Sequence, residues 1–396
     1  MKNILLTLFA TATIFVVSVL GATTASATTI SGTTGDCTWT LDGTVLTISG
    51  NGEMGSSNHS DYKDIVTKVV IENGVTSIDM LTFAGFSSMT SVEIPNSVTH
   101  IGAYAFYGCS SLTSIHIPES VTSIGDLFQT TYGSSTIHPF LMCSRLEIIT
   151  VAPENSIYYS QNNCLIETRS KKLISGCQTS IIPEDIECIG DYAFNGCTEL
   201  KSIHIPASVY YEISPCTFSY CSNLESITVS PDNPYYSSEG NCLLYGSYLI
   251  RGCKASVIPD NVRKIGELAF SGCSPLSSIN IPDGVTSIGK SAFIGCSSLT
   301  SITIPANVTN VGDSAFEGCE NLKTVYIHSV DVAKNLSRDT SCGHLGYYAD
   351  TIYVASNIVT VGNHIATMPY KTEGVTVNGA KYTSYWKVSN HTCSYE

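Results

Sequence analysis

The sequence predicts a β-rich solenoid of about twelve coils, each about 23 residues long, with short helical or irregular turns on its convex side. The first observation is self-similarity, because a pattern of isoleucine, proline, valine and glycine returns after 23 residues, as from Ile94 to Ile117 and from Ile281 to Ile304. The second is the alternation of apolar and polar residues, which is typical of short strands. The third is unit size: one unit cannot bury its own apolar side, whereas stacked units share a continuous core.

Each unit follows the pattern L-x-x-I-x-I-P-x-x-V-x-x-I-G-x-x-A-F-x-x-C. In the unit that begins at Leu112, Ile115 and Ile117 form an inward-facing strand, and Pro118 ends its ladder because proline has no N–H to donate. The following valine and isoleucine turn inward again, and the glycine permits a sharp bend. The predicted coils centre on Ile71, Ile94, Ile117, Val151, Ile182, Ile205, Val229, Ile258, Ile281, Ile304, Ile327 and Val354.

Three departures from the repeat predict insertions. Eleven extra residues between Ile124 and Phe140 must bulge outward as a loop. The other two departures are a matched pair, the segments 151–183 and 229–259, which both hold alternating apolar stretches around a short polar turn. We interpret each of these segments as a β-hairpin inserted in one coil.

The N-terminus predicts export. Lys2 precedes an apolar run over residues 4–20, and small residues ending in Ala25-Ser26-Ala27 follow. This order is that of a secretory signal peptide cleaved after Ala27, with an uncleaved membrane anchor as the alternative. No second apolar run approaches the ~18 residues of a spanning helix, so we expect a secreted or extracellular cell-surface protein whose mature chain has no transmembrane segment. The expected order is a signal peptide at 1–27, an N-terminal β cap at 28–64, the solenoid at 65–354 and a C-terminal cap or tail at 355–396.

Composition and motifs argue against nucleic-acid binding and catalysis. The net charge is −14, which disfavours binding to phosphate backbones. Residues 284–291 match the phosphate-loop pattern G-x-x-x-x-G-K-[ST], but Gly289 is the repeat glycine, and Lys290 occupies a slot that is acidic in other coils, as at Asp313. We therefore predict no nucleotide, no cofactor and no catalytic residue. An enzyme with its site in the loop 127–139 is supported only by His138, because the loop offers no further residues that would complete a catalytic group with this histidine.

Eleven of the 16 cysteines fall into two groups, and the other five are unassigned. One group recurs three residues after the repeat phenylalanine, an inward apolar slot, so we predict a ladder of buried thiols. If the turns stack as packed helices do, equivalent Cα atoms lie ~8–10 Å apart, beyond the reach of a disulfide. In the second group, Cys164 with Cys177 and Cys242 with Cys253 flank the predicted hairpins, and a cross-link in each pair is left open. The chain has no C-x-x-C pair, so no metal site is predicted.

The repeat strongly resembles that of the BspA-like leucine-rich-repeat proteins of bacterial surfaces, which are also found in some protozoa. The resemblance covers roughly residues 35–354, and the segment CTWTLDGTVLTISGNGEM from Cys37 looks like the N-terminal cap of that family. Such proteins are generally regarded as adhesins or interaction modules. The resemblance therefore implies binding to an extracellular protein or glycan on host or neighbouring cells, and not catalysis.

The outward positions of the predicted strands form the candidate ligand-binding face. A shallow, hydroxyl-lined concave trough suits extended protein or glycan ligands better than a buried small molecule. We expect Glu93 to pair weakly with His116 one coil away, and we expect His116 and His204 to stand about 14 Å apart, too far for one metal ion. A solvated sheet without a ligand, in a structural surface spacer, is the alternative. The candidate residues on this face are Glu93, His116, His204, Thr228, Asn280, Thr303, Tyr326 and Tyr353.

A second candidate surface lies on the two predicted hairpins, whose tyrosines we expect to be exposed at one edge of the solenoid. Tyrosine is enriched in contact hot spots because its ring is apolar and its hydroxyl is polar. We expect about half of these rings to pack the hairpins onto the coils beneath them. The candidate residues are Tyr158, Tyr159, Tyr235, Tyr236, Tyr245 and Tyr248.

Overall fold

Short strands make up nearly all of the regular structure. A computed structural model of the chain describes residues 29–55, 59–130, 133–332, 351–355, 370–371, 375–377 and 380–387. Over these residues the chain is a β-solenoid of about 12 turns with almost no helix, as the repeat predicts. The chain divides into two compact units, Met1–Ser160 and Gln161–Glu396.

The predicted segment boundaries at 28, 65 and 355 stay predictions, and the predicted signal peptide lies outside the described residues. Among the residues that are described, no helix has the length and apolar character needed to cross a membrane.

The first unit begins with an antiparallel meander and continues as parallel coils. Its first three strands pair in antiparallel order, with Ile30 opposite Leu41 and Cys37 opposite Gly50. The strands and the one 3-10 helix are β1 (Ile30–Thr34), β2 (Cys37–Asp42), β3 (Val45–Gly50), β4 (Gly52–Glu53), the 3-10 helix (His59–Tyr62), β5 (Lys68–Ile71), β6 (Val75–Ile78), β7 (Ser91–Glu93), β8 (His100–Ile101), β9 (Ser114–Ile117), β10 (Ser123–Ile124), β11 (Asp126–Thr130), β12 (Gly133–Ile137), β13 (Ile148–Val151) and β14 (Tyr158–Gln161).

The coils of the first unit supply strands to two parallel rows, and the first three of them supply one strand to each row. The I-x-I stretch supplies β5, β7, β9 and β13, and the V-x-x-I stretch supplies β6, β8 and β10. Within a row the partners are equivalent repeat positions, such as Lys68 opposite Ser91, because coils of equal length stack in register. We call the row built from the I-x-I stretch the strand face.

The extra residues after Ile124, which were expected to bulge outward as a loop, form a hairpin. Strands β11 and β12 pair in antiparallel order, with Asp126 opposite Ile137. The physical reason is composition, since the segment is rich in threonine and other strand-forming residues. His138 at its end is buried, and its Nδ1 accepts a hydrogen bond from the backbone N–H of Phe140 at 3.2 Å. This histidine therefore supports the local backbone.

The second unit repeats the two rows. Strands β18 with β19, and β25 with β27 and β28, belong to the strand face, while β22, β23, β24 and β26 form the other row. Its strands are β15 (Cys164–Glu167), β16 (Lys172–Ser175), β17 (Cys188–Ile189), β18 (Ser202–Ile205), β19 (Ser226–Val229), β20 (Ser237–Glu239), β21 (Cys242–Tyr245), β22 (Tyr248–Arg251), β23 (Lys264–Ile265), β24 (Ser287–Ile288), β25 (Ser301–Ile304), β26 (Asn310–Val311), β27 (Thr324–Ile327), β28 (Thr351–Ala355), β29 (Tyr370–Lys371), β30 (Val375–Val377) and β31 (Ala380–Lys387).

Two antiparallel pairs in the second unit fall where the matched segments predict hairpins. Strand β15 pairs with β16, and β21 pairs with β22. The second strand of each pair also pairs in parallel with the next coil, β16 with β17 and β22 with β23. Leu243, Leu244 and Leu249 are fully buried. These pairs are therefore part of the stacked core.

The core is a stack of equivalent side chains, of which the repeat phenylalanine is the largest. The ring of Phe293 lies between those of Phe270 and Phe316, with centroids 4.9 and 5.1 Å away and planes within 5°. The turns also bond to each other through the backbone, as in the 2.8 Å bond from the N–H of Gly272 to the carbonyl of Ile294. Successive turns thus stack at strand-like spacing, and the expected helix-like separation of ~8–10 Å is wrong.

The repeat cysteines are buried thiols, as the sequence predicts, although the spacing argument behind that prediction fails. Five of the seven thiols donate to the carbonyl of the phenylalanine in the preceding coil, for example at 3.3 Å from Cys296 to Phe270. The other two, Cys197 and Cys273, donate to glycine carbonyls at 3.9 Å. Burial raises the pKa of the Cys319 thiol to about 12, because the thiolate cannot be solvated there.

The cysteines beside the antiparallel pairs form no disulfide, and neither do the others in the described part of the chain. The hydroxyl of Ser256 donates to Cys253 Sγ at 3.7 Å, and Ser180 donates to Cys177 Sγ at 3.4 Å. The cross-links that the sequence leaves open between Cys164 and Cys177, and between Cys242 and Cys253, are absent from the structure.

Candidate interaction surface

Histidine–threonine pairs recur on the strand face of both units. His116 Nδ1 lies 3.0 Å from Thr150 Oγ1, and His204 Nδ1 lies 2.9 Å from Thr228 Oγ1. The repeat creates both pairs, because His116 is opposite Thr150 and His204 is opposite Thr228 on neighbouring parallel strands. Both histidines are exposed. Within the described contacts no carboxylate orients either imidazole, so these pairs lack the third group of a catalytic triad.

A stacked tyrosine pair lies on the strand face of the second unit. Tyr326 on β27 and Tyr353 on β28 have centroids 5.0 Å apart and planes 12° apart. Both rings are half-buried. The pKa of Tyr326 is raised mainly because burial disfavours the phenolate, and to a smaller extent by the neighbouring Tyr353. Thr303 on β25 is opposite Tyr326 in the same sheet. The strands thus hold a flat aromatic platform next to a hydroxyl group.

The remaining two candidates of the strand face have other surroundings. Glu93 forms an ion pair of 2.6 Å with Lys68 on the neighbouring strand, so the expected pairing with His116 is wrong. The lysine is favoured because it lies two residues from the position opposite Glu93, on the same face of the sheet, and carries a permanent charge. Asn280 is exposed in a stretch without strand pairing. The structure therefore groups His204 with Thr228, and Thr303 with Tyr326 and Tyr353.

The six candidate tyrosines of the antiparallel segments differ in exposure. Tyr158 and Tyr236 are buried, so they are among the rings expected to pack their segments onto the coils beneath. Their hydroxyl oxygens accept equivalent hydrogen bonds, from the N–H of Ile124 and of Ile213, both at 3.1 Å. Each of these rings therefore anchors its segment onto the preceding coil. Tyr159 and Tyr248 are half-buried, whereas Tyr235 and Tyr245 are exposed.

An exposed tyrosine pair that sequence reasoning missed lies in the second unit. Tyr210 and Tyr211 are 45% and 52% exposed, with ring centroids 4.5 Å apart. The hydroxyl of Tyr210 donates to Glu187 Oε2 at 2.9 Å, and hydrogen bonds with Tyr211 and with Glu187 raise the pKa of Tyr210. The signal was in the repeat, because the equivalent positions after the repeat valine hold no tyrosine in other coils, as at Thr286-Ser287.

A groove of about 370 Å³ runs beside His204 in the second unit. Residues 178–181 form one wall of the groove. Residues 200–204, which include most of β18, form the other wall. The lining residues are Gln178, Thr179, Ser180, Ile181, Leu200, Lys201, Ser202, Ile203 and His204.

The segment that matches a phosphate loop is an ordinary coil. Ser287 and Ile288 form β24 between β23 and β26, and a Cβ at Gly289 would lie 2.6 Å from the backbone of Gly266 one coil below. Glycine at this position thus serves the stacking of coils. Among the described residues, no three His, Cys, Asp or Glu side chains are grouped so that they could hold a metal ion.

Solved structures of bacterial leucine-rich-repeat proteins are similar to this chain. A leucine-rich cell-surface protein from Faecalibacterium prausnitzii is 24% identical, with 84% of this chain and 98% of that chain covered and a TM-score of 0.46. A leucine-rich-repeat protein from Eubacterium ventriosum is 21% identical, with coverage of 73% and 95% and a TM-score of 0.36. The pneumococcal vaccine antigen PcpA is 15% identical, with coverage of 85% and 95% and a TM-score of 0.35. A search of curated proteins found no match.

The family itself is shown by the repeat. A model of the BspA-type leucine-rich-repeat region matches with 6 copies, over residues 57–178, 174–249 and 247–338. These matches span well over half of the chain and coincide with the coils described above. The chain therefore belongs to the BspA-type leucine-rich-repeat family.

Proposed function

We propose that this protein is an exported adhesion module that binds an extracellular protein or glycan through the strand face of its coils. Its family consists of cell-surface proteins that serve in general as non-enzymatic scaffolds for protein–protein interaction. The observation that carries the proposal is the stacked pair Tyr326 and Tyr353, which stands next to Thr303 on a regular parallel sheet.

Stacked tyrosines on a sheet suit recognition for a physical reason. The strands fix the two rings, so little side-chain entropy is lost when a partner covers them. Each phenol presents an apolar face together with a polar hydroxyl, and such groups dominate contact energies. Thr303 on the neighbouring strand adds a hydrogen-bonding hydroxyl beside the platform.

Export supports the same proposal. The signal-peptide pattern at 1–27 would place the mature chain outside the cell, where host and microbial ligands occur. The scarcity of charge, at 13% of residues, leaves a surface of hydroxyl groups that suits extended polar ligands.

Binding of the purified mature chain to an array of matrix proteins and glycans tests the proposal. We expect at least one ligand whose affinity falls at least tenfold in the double variant Tyr326→Ala/Tyr353→Ala, since aromatic hot spots are worth ~2 kcal/mol or more. Tyr107→Ala is the matched control, because this tyrosine is exposed elsewhere. Equal affinity of the double variant and the control would refute the strand-face assignment. Binding to nothing on the array would favour a structural spacer without a specific ligand.

A further inference from the structure

Three tyrosine rings and two carboxylates form an exposed cluster in the second unit, away from the strand face. We call Tyr210, Tyr211, Tyr245, Glu187 and Glu212 the tyrosine–carboxylate patch. Tyr245 is 57% exposed, and Glu212 is also exposed. Large rings with about half of their surface in water are unusual, and the positions equivalent to Tyr210 and Tyr211 hold no tyrosine in other coils, so the patch calls for a binding role.

Buried contacts hold the patch together. The hydroxyl of Tyr236 donates to the carbonyl of Tyr211 at 2.9 Å and accepts from the N–H of Ile213 at 3.1 Å. The ring of Tyr236 contacts that of Tyr245, with centroids 6.0 Å apart. The buried Tyr236 therefore joins the segment of Tyr211 to strand β21, which carries Tyr245. The exposed rings sit on a fixed base.

The charge of the patch is negative. Glu187 lies next to the phenol of Tyr210, and Glu212 directly follows Tyr211 in the chain. The ion pairs of the described residues use other carboxylates, so neither Glu187 nor Glu212 is neutralised by a lysine or arginine there. Tyrosine faces attract cations through their negative quadrupole, and unpaired carboxylates beside them add to that attraction.

We propose that the tyrosine–carboxylate patch binds a lysine or arginine side chain of a basic peptide segment on a partner protein. This inference rests on the proposed function and names the chemistry of one partner. The cation lies over the faces of the exposed tyrosines and donates hydrogen bonds to Glu187 and Glu212. The net charge of −14 favours the approach of such a segment over an acidic one.

The test uses the full mature chain and a fluorescein-labelled decapeptide of alternating lysine and serine, followed by fluorescence anisotropy at low ionic strength. The double variant Glu187→Gln/Glu212→Gln is compared with Glu154→Gln/Glu320→Gln, which removes the same charge from two other exposed sites. We expect the patch variant to bind roughly three- to tenfold more weakly and the control to bind within about twofold of the wild type.

The ring contribution is measured with Tyr210→Ser/Tyr211→Ser, against the exposed Tyr107→Ser as control. We expect a loss of roughly three- to tenfold for the double variant only, as for an exposed cation over a ring. Equal losses in the patch and control variants would mean that general charge attracts the peptide, and would overturn the proposal. Binding of neutral chitotetraose that depends on the rings and not on the carboxylates would also overturn it, in favour of a glycan surface.

Failure of this inference is distinguishable from failure of the proposed function. A ligand from the array that is lost with Tyr326→Ala/Tyr353→Ala but kept with Glu187→Gln/Glu212→Gln leaves the strand-face function standing while the patch is rejected. If the patch variants weaken peptide binding and the control variants do not, the patch is supported whatever ligands the array shows.

Discussion

His204 and Thr228 lie opposite each other on neighbouring parallel strands, with 2.9 Å between Nδ1 and Oγ1. His116 and Thr150 repeat this relationship in the other unit, at 3.0 Å. The spacing of the coils sets both distances. Because both pairs are exposed, we expect them to affect the polar chemistry of the surface more than the stability of the stacked coils.

The histidine–threonine pair leads to a prediction about stability. Thr228→Val removes the hydroxyl while keeping the branched shape that suits a strand. Because the pair is exposed, we expect the free energy of unfolding to change by less than about 0.5 kcal/mol in urea denaturation. A loss above about 1.5 kcal/mol would show that the pair is a structural network.

The phenylalanine stack, unlike the exposed histidine–threonine pair, is expected to contribute strongly to the free energy of unfolding. Phe293 is fully buried between the rings of Phe270 and Phe316. Phe293→Ala should lower the free energy of unfolding by about 3–5 kcal/mol, because the two neighbouring rings cannot close the cavity. Urea denaturation measures this loss, and the exposed Tyr107→Ala should stay within about 0.5 kcal/mol of the wild type. A loss below about 1 kcal/mol for Phe293→Ala would contradict a tightly packed stack.

The repeat was sufficient to predict the fold because its information is periodic. Stacking in register follows from equal coil length, and inward slots such as those of Phe293 and Cys296 follow from their recurrence. Departures from the period were less predictable. The residues after Ile124 were expected to form a loop and form β11 and β12, since strand pairing inside an insertion has no periodic signal.

The candidate surface was only partly predictable for a related reason. Alternation gives the side of the strand on which Tyr326 lies, and register then brings it against Tyr353. Exposure within an inserted segment depends on how it folds back, so the sequence predicted that about half of the six tyrosines are packed but not that Tyr236 is one of them. Tyr210 and Tyr211 were missed because a repeat directs attention to what recurs, and these two residues do not.

The buried thiols predict a pH dependence of stability. Burial raises the pKa values of Cys143, Cys221 and Cys319 from 9.0 in the unfolded chain to about 12 in the folded one. A raised folded pKa means that the contribution to stability is complete below pH 9 and is lost as the pH rises towards 12. The reason is that the unfolded chain releases these protons while the folded chain retains them.

We therefore expect the free energy of unfolding to fall continuously between pH 9 and about 11, as urea denaturation at each pH would show. Cys319→Ala should have a shallower slope than the wild type, since one of the titrating thiols is removed. Identical slopes for the two proteins would indicate that other groups cause the alkaline loss.

Substitution of two glycines with positive φ can distinguish two contributions to the free energy of unfolding, one from the strained backbone conformation and one from a collision between stacked coils. Gly43 has φ of +59° and open space around an added Cβ, whereas Gly272 has φ of +70° and would place a Cβ 2.6 Å from the Cα of Tyr220 in the neighbouring coil. Gly43→Ala should therefore cost only the left-handed conformation, about 1 kcal/mol.

Gly272→Ala adds a backbone collision that only a shift between coils can relieve, and we expect a loss of about 3 kcal/mol or more. Thermal and urea denaturation of both variants give the comparison. Equal losses would mean that the coils separate easily at this turn, contrary to the close stacking that the 3.1 Å bond from the N–H of Tyr220 to the carbonyl of Ser271 implies.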